Sequence, residues 1–153
     1  MKNTTPTKLQ EIADAIAEGC LSMRVRYLNR TLNTIYDDAF REFGITGSQC
    51  NMLVAIVKNG ELSPTRLGQL LNIEKSTLSR NLERMRKAGW IEIVEPDSGR
   101  THSLKVAKAG KDLLPKLFPI WQKAQETAQE LLGEQQSENL KAAADQARKQ
   151  LTL

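Results

Sequence analysis

Residues Ser63 to Lys87, SPTRLGQLLNIEKSTLSRNLERMRK, constrain the fold more than any other stretch, because they spell two short helices joined by a tight turn. Ser63 is a favourable N-cap, and Pro64 fits the first helical position, where its missing N–H costs nothing. Leu67, Leu70 and Leu71 recur at helical spacing, and Asn72-Ile73 breaks the run. A second helix starts near Lys75 with one apolar stripe, Leu78, Leu82 and Met85. Ala88-Gly89 ends it, with Gly89 suited to a left-handed stop. The stripe leaves Ser76, Thr77, Ser79, Arg80 and Arg84 pointing outward.

That outward face suggests a function. Short hydroxyl side chains let a helix approach a surface closely and donate to phosphate or base edges, and Arg can take two acceptors on guanine. A helix pair with an exposed basic second member is the arrangement that enters a DNA major groove. Trp90-Ile91-Glu92-Ile93-Val94 then alternates as a strand, Pro96-Asp97-Ser98-Gly99 forms a turn, and Thr101 to Val106 returns as a second strand. A hairpin directly after a recognition helix is a wing, and Arg100 near its tip is placed to enter the minor groove.

The stretch LSPTRLGQLLNIEKSTLSRNLERMRKAGWIEIVEPDSGRTHSLKVAKAG resembles the winged helix of the MarR family of bacterial transcription regulators. The resemblance implies a mainly α fold with a small β-wing: a winged helix-turn-helix domain flanked by N- and C-terminal dimerisation helices. It also implies a homodimer on pseudo-palindromic double-stranded DNA, a repressor that lets go when a small aromatic or phenolic effector binds or a cysteine oxidises. Three departures bear on wing rigidity and helix stability. Ser98 stands where the family often has Asp, Val106-Ala107 replaces Leu-Thr before the next helix, and Gly68 replaces Ala.

Charge and composition agree with this reading. The chain has 153 residues, a size suited to a single domain, and its net charge is +4. From Lys75 to Lys111 nine Lys and Arg face four acids, a net of +5, so the remainder sums to −1. A basic excess confined to the reading surface is the footprint of a nucleic-acid binder. No apolar run reaches membrane-spanning length, and the polar N-terminus MKNTTPTKLQ has no signal-peptide pattern, so a cytoplasmic protein is expected. Two separated cysteines predict reduced thiols and no zinc site. His102 is the single histidine, and no Gly-rich phosphate loop, HExxH or GxSxG is present, so an enzyme and a metal or cofactor site are not expected.

The rest of the chain reads as helices. Thr7 with Gln10 opens a long first helix running to Phe43, bent near Gly19, whose early apolar residues predict packing on a second subunit. Thr46 with Gln49 opens the next helix, which ends at Gly60 with Met52, Leu53, Ile56 and Val57 in the core. After the wing, Pro115 and Pro119 predict kinks or a break beside a dense apolar cluster of Leu114, Leu117, Phe118, Ile120 and Trp121. A last helix runs from Glu134 to about Gln150. Residues 7–44 and 107–153 are the expected dimerisation helices and 46–106 the winged helix-turn-helix, all within one domain.

The expected DNA-binding residues are Ser63, Thr65, Lys75, Ser76, Thr77, Ser79, Arg80, Arg84, Arg100 and His102. The family's effector pocket suggests Tyr27, Tyr36, Met52 and Trp121. Cys20, with Arg24 one turn on, is the candidate redox thiol. The family's peroxide-sensing cysteine, however, aligns with Ser22, and its tyrosine partners align with Tyr36 and Gly47. Thiol-based sensing is thus one alternative, and a winged-helix protein-binding module without DNA reading is another. The second would carry exposed apolar residues in place of the hydroxyl-plus-Arg face.

Overall fold

The computed structural model describes residues 7–95 and 102–151. It divides into two compact units, residues 1–34 and 35–153. The element order is α1 (Lys8–Gly19), α2 (Leu21–Phe40), α3 (Gly47–Asn59), α4 (Pro64–Leu71), α5 (Lys75–Lys87), β1 (Ile91–Val94), β2 (Ser103–Val106), α6 (Lys108–Leu132) and α7 (Glu134–Leu151).

In the first unit, Thr7 and Gln10 form the expected capping box at the head of α1. The expected single bent helix is instead two helices. Cys20 adopts extended backbone, with ψ 106°, between α1 and α2. The break is stabilised by Arg24, whose guanidinium donates to the carbonyls of Ala17 at 2.7 Å and Glu18 at 2.9 Å. Those carbonyls belong to the last turn of α1, where intrahelical donors run out. Leu9, Ile12, Ile16, Leu21, Met23, Val25 and Tyr27 are all exposed.

In the second unit α2 ends in a 3-10 turn, Arg41–Phe43, stopped by Gly44 in the left-handed region. Thr46 and Gln49 cap α3 as a box, and Asp37 accepts the Gly47 N–H at 2.6 Å. Met52, Leu53 and Ile56 are completely buried. Val57 is not core as expected but 49% exposed, because it lies past the edge of the stripe that α3 buries. Ser63 caps α4 and Pro64 occupies its first turn. Asn72 takes the left-handed conformation at φ 49°, and the N–H of Ile73 returns to the carbonyl of Gly68 at 2.9 Å, which closes the turn.

The α5 stripe Leu78, Leu82 and Met85 is buried as the spacing predicts, in one core with Phe40, Ile45, Leu67, Ile91, Leu104 and Leu117. Removing each such side chain from water contributes roughly 1.5–3 kcal/mol. The hairpin is antiparallel with Ile91 opposite Val106 and Ile93 opposite Leu104. Leu62 adds a single isolated bridge to Leu104 on the other side of β2, a contact that the sequence did not signal.

The prolines do not interrupt α6, which runs unbroken from Lys108 to Leu132. Pro115 and Pro119 are one turn apart on the exposed side. Their missing donors and ring contacts fall on a single stripe, and the turns before and after carry the helix through. The apolar cluster there is only partly core. Leu117 is buried, whereas Phe118 and Trp121 are exposed and stack on each other with centroids 6.0 Å apart.

Candidate nucleic-acid interface

The face of α5 opposite its buried stripe carries Lys75, Ser76, Ser79, Arg80 and Arg84, all exposed. Thr77, expected beside them, is half-buried, and its hydroxyl accepts from Arg80 Nη2 at 3.4 Å. Its carbonyl accepts from Asn81 Nδ2 at 3.0 Å. Thr77 therefore props Arg80 rather than standing fully outward. Neither Arg80 nor Arg84 is paired with a carboxylate among the described residues.

The other cations of this helix are engaged. Arg86 donates Nε and Nη2 to the two oxygens of Glu83, each at 3.0 Å, and Lys87 lies 3.5 Å from the same carboxylate. The Arg86 hydrogen bonds hold the Glu83 carboxyl below the usual carboxylate range, with Lys87 adding to it. Cationic character on α5 is therefore concentrated in its first three turns, on Lys75, Arg80 and Arg84.

The head of α5 has an acidic residue that the sequence reading passed over. Glu74 is its N-cap, its carboxylate makes no capping bond, and Ser76 Oγ donates to it at 3.2 Å. Ser63 accepts from the N–H of Arg66 at 3.2 Å, and Thr65 stands exposed in the first turn of α4. His102 is exposed at the start of the returning strand, its Nδ1 3.8 Å from Glu95 Oε1. Arg100 and the turn Pro96–Gly99 lie outside the described residues, as does Thr101.

Residues 43–100, which include this helix pair and β1, match the model of the MarR family. That segment of the chain is similar to the MarR family. Solved structures share the MarR-type fold over most of the chain. A cysteine-to-serine mutant of MarR from E. coli, complexed with operator DNA, superposes with a TM-score of 0.75 at 18% identity, over 87% of this chain and 96% of that one. A probable transcriptional regulator from Pseudomonas aeruginosa gives 0.74 at 22% identity, over 86% and 98%. The transcriptional regulator SlyA gives 0.71 at 21% identity, over 86% and 94%. No curated protein matches the sequence as a relative.

The four residues suggested for a MarR-type effector pocket occupy different settings. Met52 is completely buried in the core. Tyr36 is half-buried and donates its hydroxyl to Gln125 Oε1 at 2.7 Å, and burial raises its pKa although Lys141 opposes the shift. Trp121 lies in the exposed stack with Phe118, and Tyr27 is exposed in the first unit. An open depression of about 580 Å³ lies instead at the hairpin base, between Arg86, Gly89, Ile91, Ile93 and Ala107, and none of the four lines it.

Cys20 is half-buried at the break between α1 and α2. Arg24, expected to place positive charge beside it, is committed to the two helix carbonyls. Cys50 is buried on α3, and burial pushes its thiol up. Among the described residues no group of three or more His, Cys, Asp or Glu could hold a metal ion, and no helix is long and apolar enough to cross a membrane.

Proposed function

We propose that this protein is a sequence-specific transcription regulator that binds double-stranded DNA as a homodimer and represses from a pseudo-palindromic site. The observation that carries the proposal is the outward face of α5. Arg80 and Arg84 stand clear of carboxylates beside Lys75, Ser76 and Ser79, while Leu78, Leu82 and Met85 anchor the helix from behind. A protein-binding module would place apolar side chains on that face, and none is there. In this reading residues 46–106 form the reading head and residues 7–44 and 107–153 the dimer helices. Ser63, Thr65 and His102 reach phosphates, and Arg100 serves the wing. The operator complex of the E. coli MarR mutant supports the same role for this MarR-type winged helix.

Selection of bound sequences from random duplexes tests the proposal directly. A recovered motif with two inverted half-sites about one helical turn apart is expected. Recovery of no motif would remove the reading. Arg80→Ala is expected to cost about 1–3 kcal/mol on the selected site and little on random DNA. Equal losses on both would make Arg80 a phosphate contact.

Release by a small aromatic or phenolic effector is the accompanying proposal, with Tyr36 and Trp121 as the aromatic candidates of the second unit. Salicylate titrated against the operator complex is the simplest probe. Loss of the complex that is blunted by Trp121→Ala is expected, and an effect identical in the variant would place the effector elsewhere.

A further inference from the structure

A carboxylate from outside the hairpin grips its base. Glu61 stands one residue before Leu62, whose backbone pairs with Leu104 through N–H···O bonds of 3.4 and 2.9 Å. One Glu61 oxygen accepts from the Ser103 hydroxyl, and the other lies 3.2 Å from Lys105 Nζ. Ser103 and Lys105 flank Leu104 in β2, so by strand alternation they share the face opposite its buried side chain. The carboxylate thus straddles the backbone bridge. The Ser103 hydrogen bond, then Lys105, holds the Glu61 carboxyl below its ordinary range.

Glu61 and Lys105 are both nearly half-exposed, and pairs so exposed add little to stability. Their place matters more. A hairpin of two four-residue strands is marginal alone. The residues after Glu61 lead directly through Leu62 into Ser63, the cap of α4. The grip therefore joins the hairpin to the start of the helix pair that carries α5.

We propose that Glu61 is the positioning residue that aims the hairpin at DNA, with Ser103 and Lys105 as the two points it holds. The inference rests on the DNA-reading proposal above. It makes the hairpin's phosphate contact depend on a residue that itself touches no DNA.

The test uses the full chain and the duplex that the wild-type protein selects. Glu61→Gln combined with Ser103→Ala releases both points and leaves every cation of the hairpin in place. Loss of the Glu61 charge by itself would strengthen binding to phosphate, so weaker binding does not follow from the charge change. The expected result is several-fold weaker binding with a salt slope shallower by about one, the signature of one lost phosphate contact. Unchanged affinity and slope would overturn the proposal. So would weaker binding at an unchanged slope, since a loss of folded protein lowers apparent affinity without altering counterion release. If the double variant does not fold, Ser103→Ala alone is expected to shift affinity and slope in the same direction by less, and its indifference would overturn the proposal equally. A wild-type chain that selects no duplex removes the DNA reading itself, and this inference with it.

Discussion

Gly110 on α6 and Gly68 on α4 sit in different surroundings. A Cβ on Gly110 would lie 2.2 Å from the carbonyl oxygen of Trp90, which also accepts the N–H of Ala107 at 3.0 Å. The first turn of α6 is therefore seated on backbone that cannot move aside. Gly110→Ala is expected to destabilise by about 1–3 kcal/mol in urea unfolding. Gly68 differs, since a Cβ there meets the flexible end of Leu78 at 3.1 Å. The helix gain of Ala, about 1 kcal/mol, opposes that contact, so Gly68→Ala is expected to change stability little. A Gly110→Ala protein with the wild-type urea midpoint would show that α6 can slide off the hairpin. The cysteines are also told apart at this scale. Cys50 is buried with its thiol pushed up, so less of it is thiolate at neutral pH, whereas Cys20 is more accessible. Alkylation followed by mass mapping is expected to label Cys20 first, and earlier labelling of Cys50 would mean that α3 opens readily.

Single elements carry two further expectations. Pro115 and Pro119 each remove a helix donor from α6, and the helix persists because its buried residues, Leu117, Ala124 and Ala128, hold it from the other side. Pro115→Ala is then expected to raise stability, by up to about 3 kcal/mol, and a lower melting temperature would mean that the ring itself packs usefully. The hairpin predicts a pH effect through Glu61. Its carboxyl is held below the ordinary range, so its contribution is complete above the unfolded-state value and fades as pH falls through the folded one. Because the carboxylate is exposed, only a small difference in urea midpoint between wild type and Glu61→Gln is expected at neutral pH, and it is expected to vanish in acid. A difference that persists below the ordinary carboxylate range would show that the Glu61 charge is not what holds β2.

For the whole molecule, the exposed apolar residues of the first unit have the strongest consequence. Leu9, 76% exposed, and Ile16, 60% exposed, lie on α1, and Leu21 and Val25 follow on α2. So much apolar surface in a short unit favours association. Sedimentation is expected to find a dimer, and Leu9→Glu with Ile16→Glu to weaken it. A wild-type monomer at micromolar concentration would remove these helices from the dimer. The two-fold operator expected above depends on the same association, so the two measurements must agree.

Periodicity and capping chemistry were enough to locate nearly every element, because they are local. Ser63-Pro64, the stripe Leu78, Leu82 and Met85, and the boxes at Thr7 and Thr46 are written in adjacent residues, and the structure has each of them. The outward placement of Arg80 and Arg84 followed from the same spacing. What needed the folded chain were contacts between distant residues. Local sequence carries no sign that Arg24 would cap α1 and split the first helix, or that α6 would stay whole through two prolines. It also carries no sign that Glu83 would absorb Arg86 and Lys87, or that Glu61 would reach 42 and 44 residues along the chain to Ser103 and Lys105. Helix and turn preferences are settled within a few residues, whereas the pairing of charges and the seating of one element on another depend on distances that only tertiary structure sets.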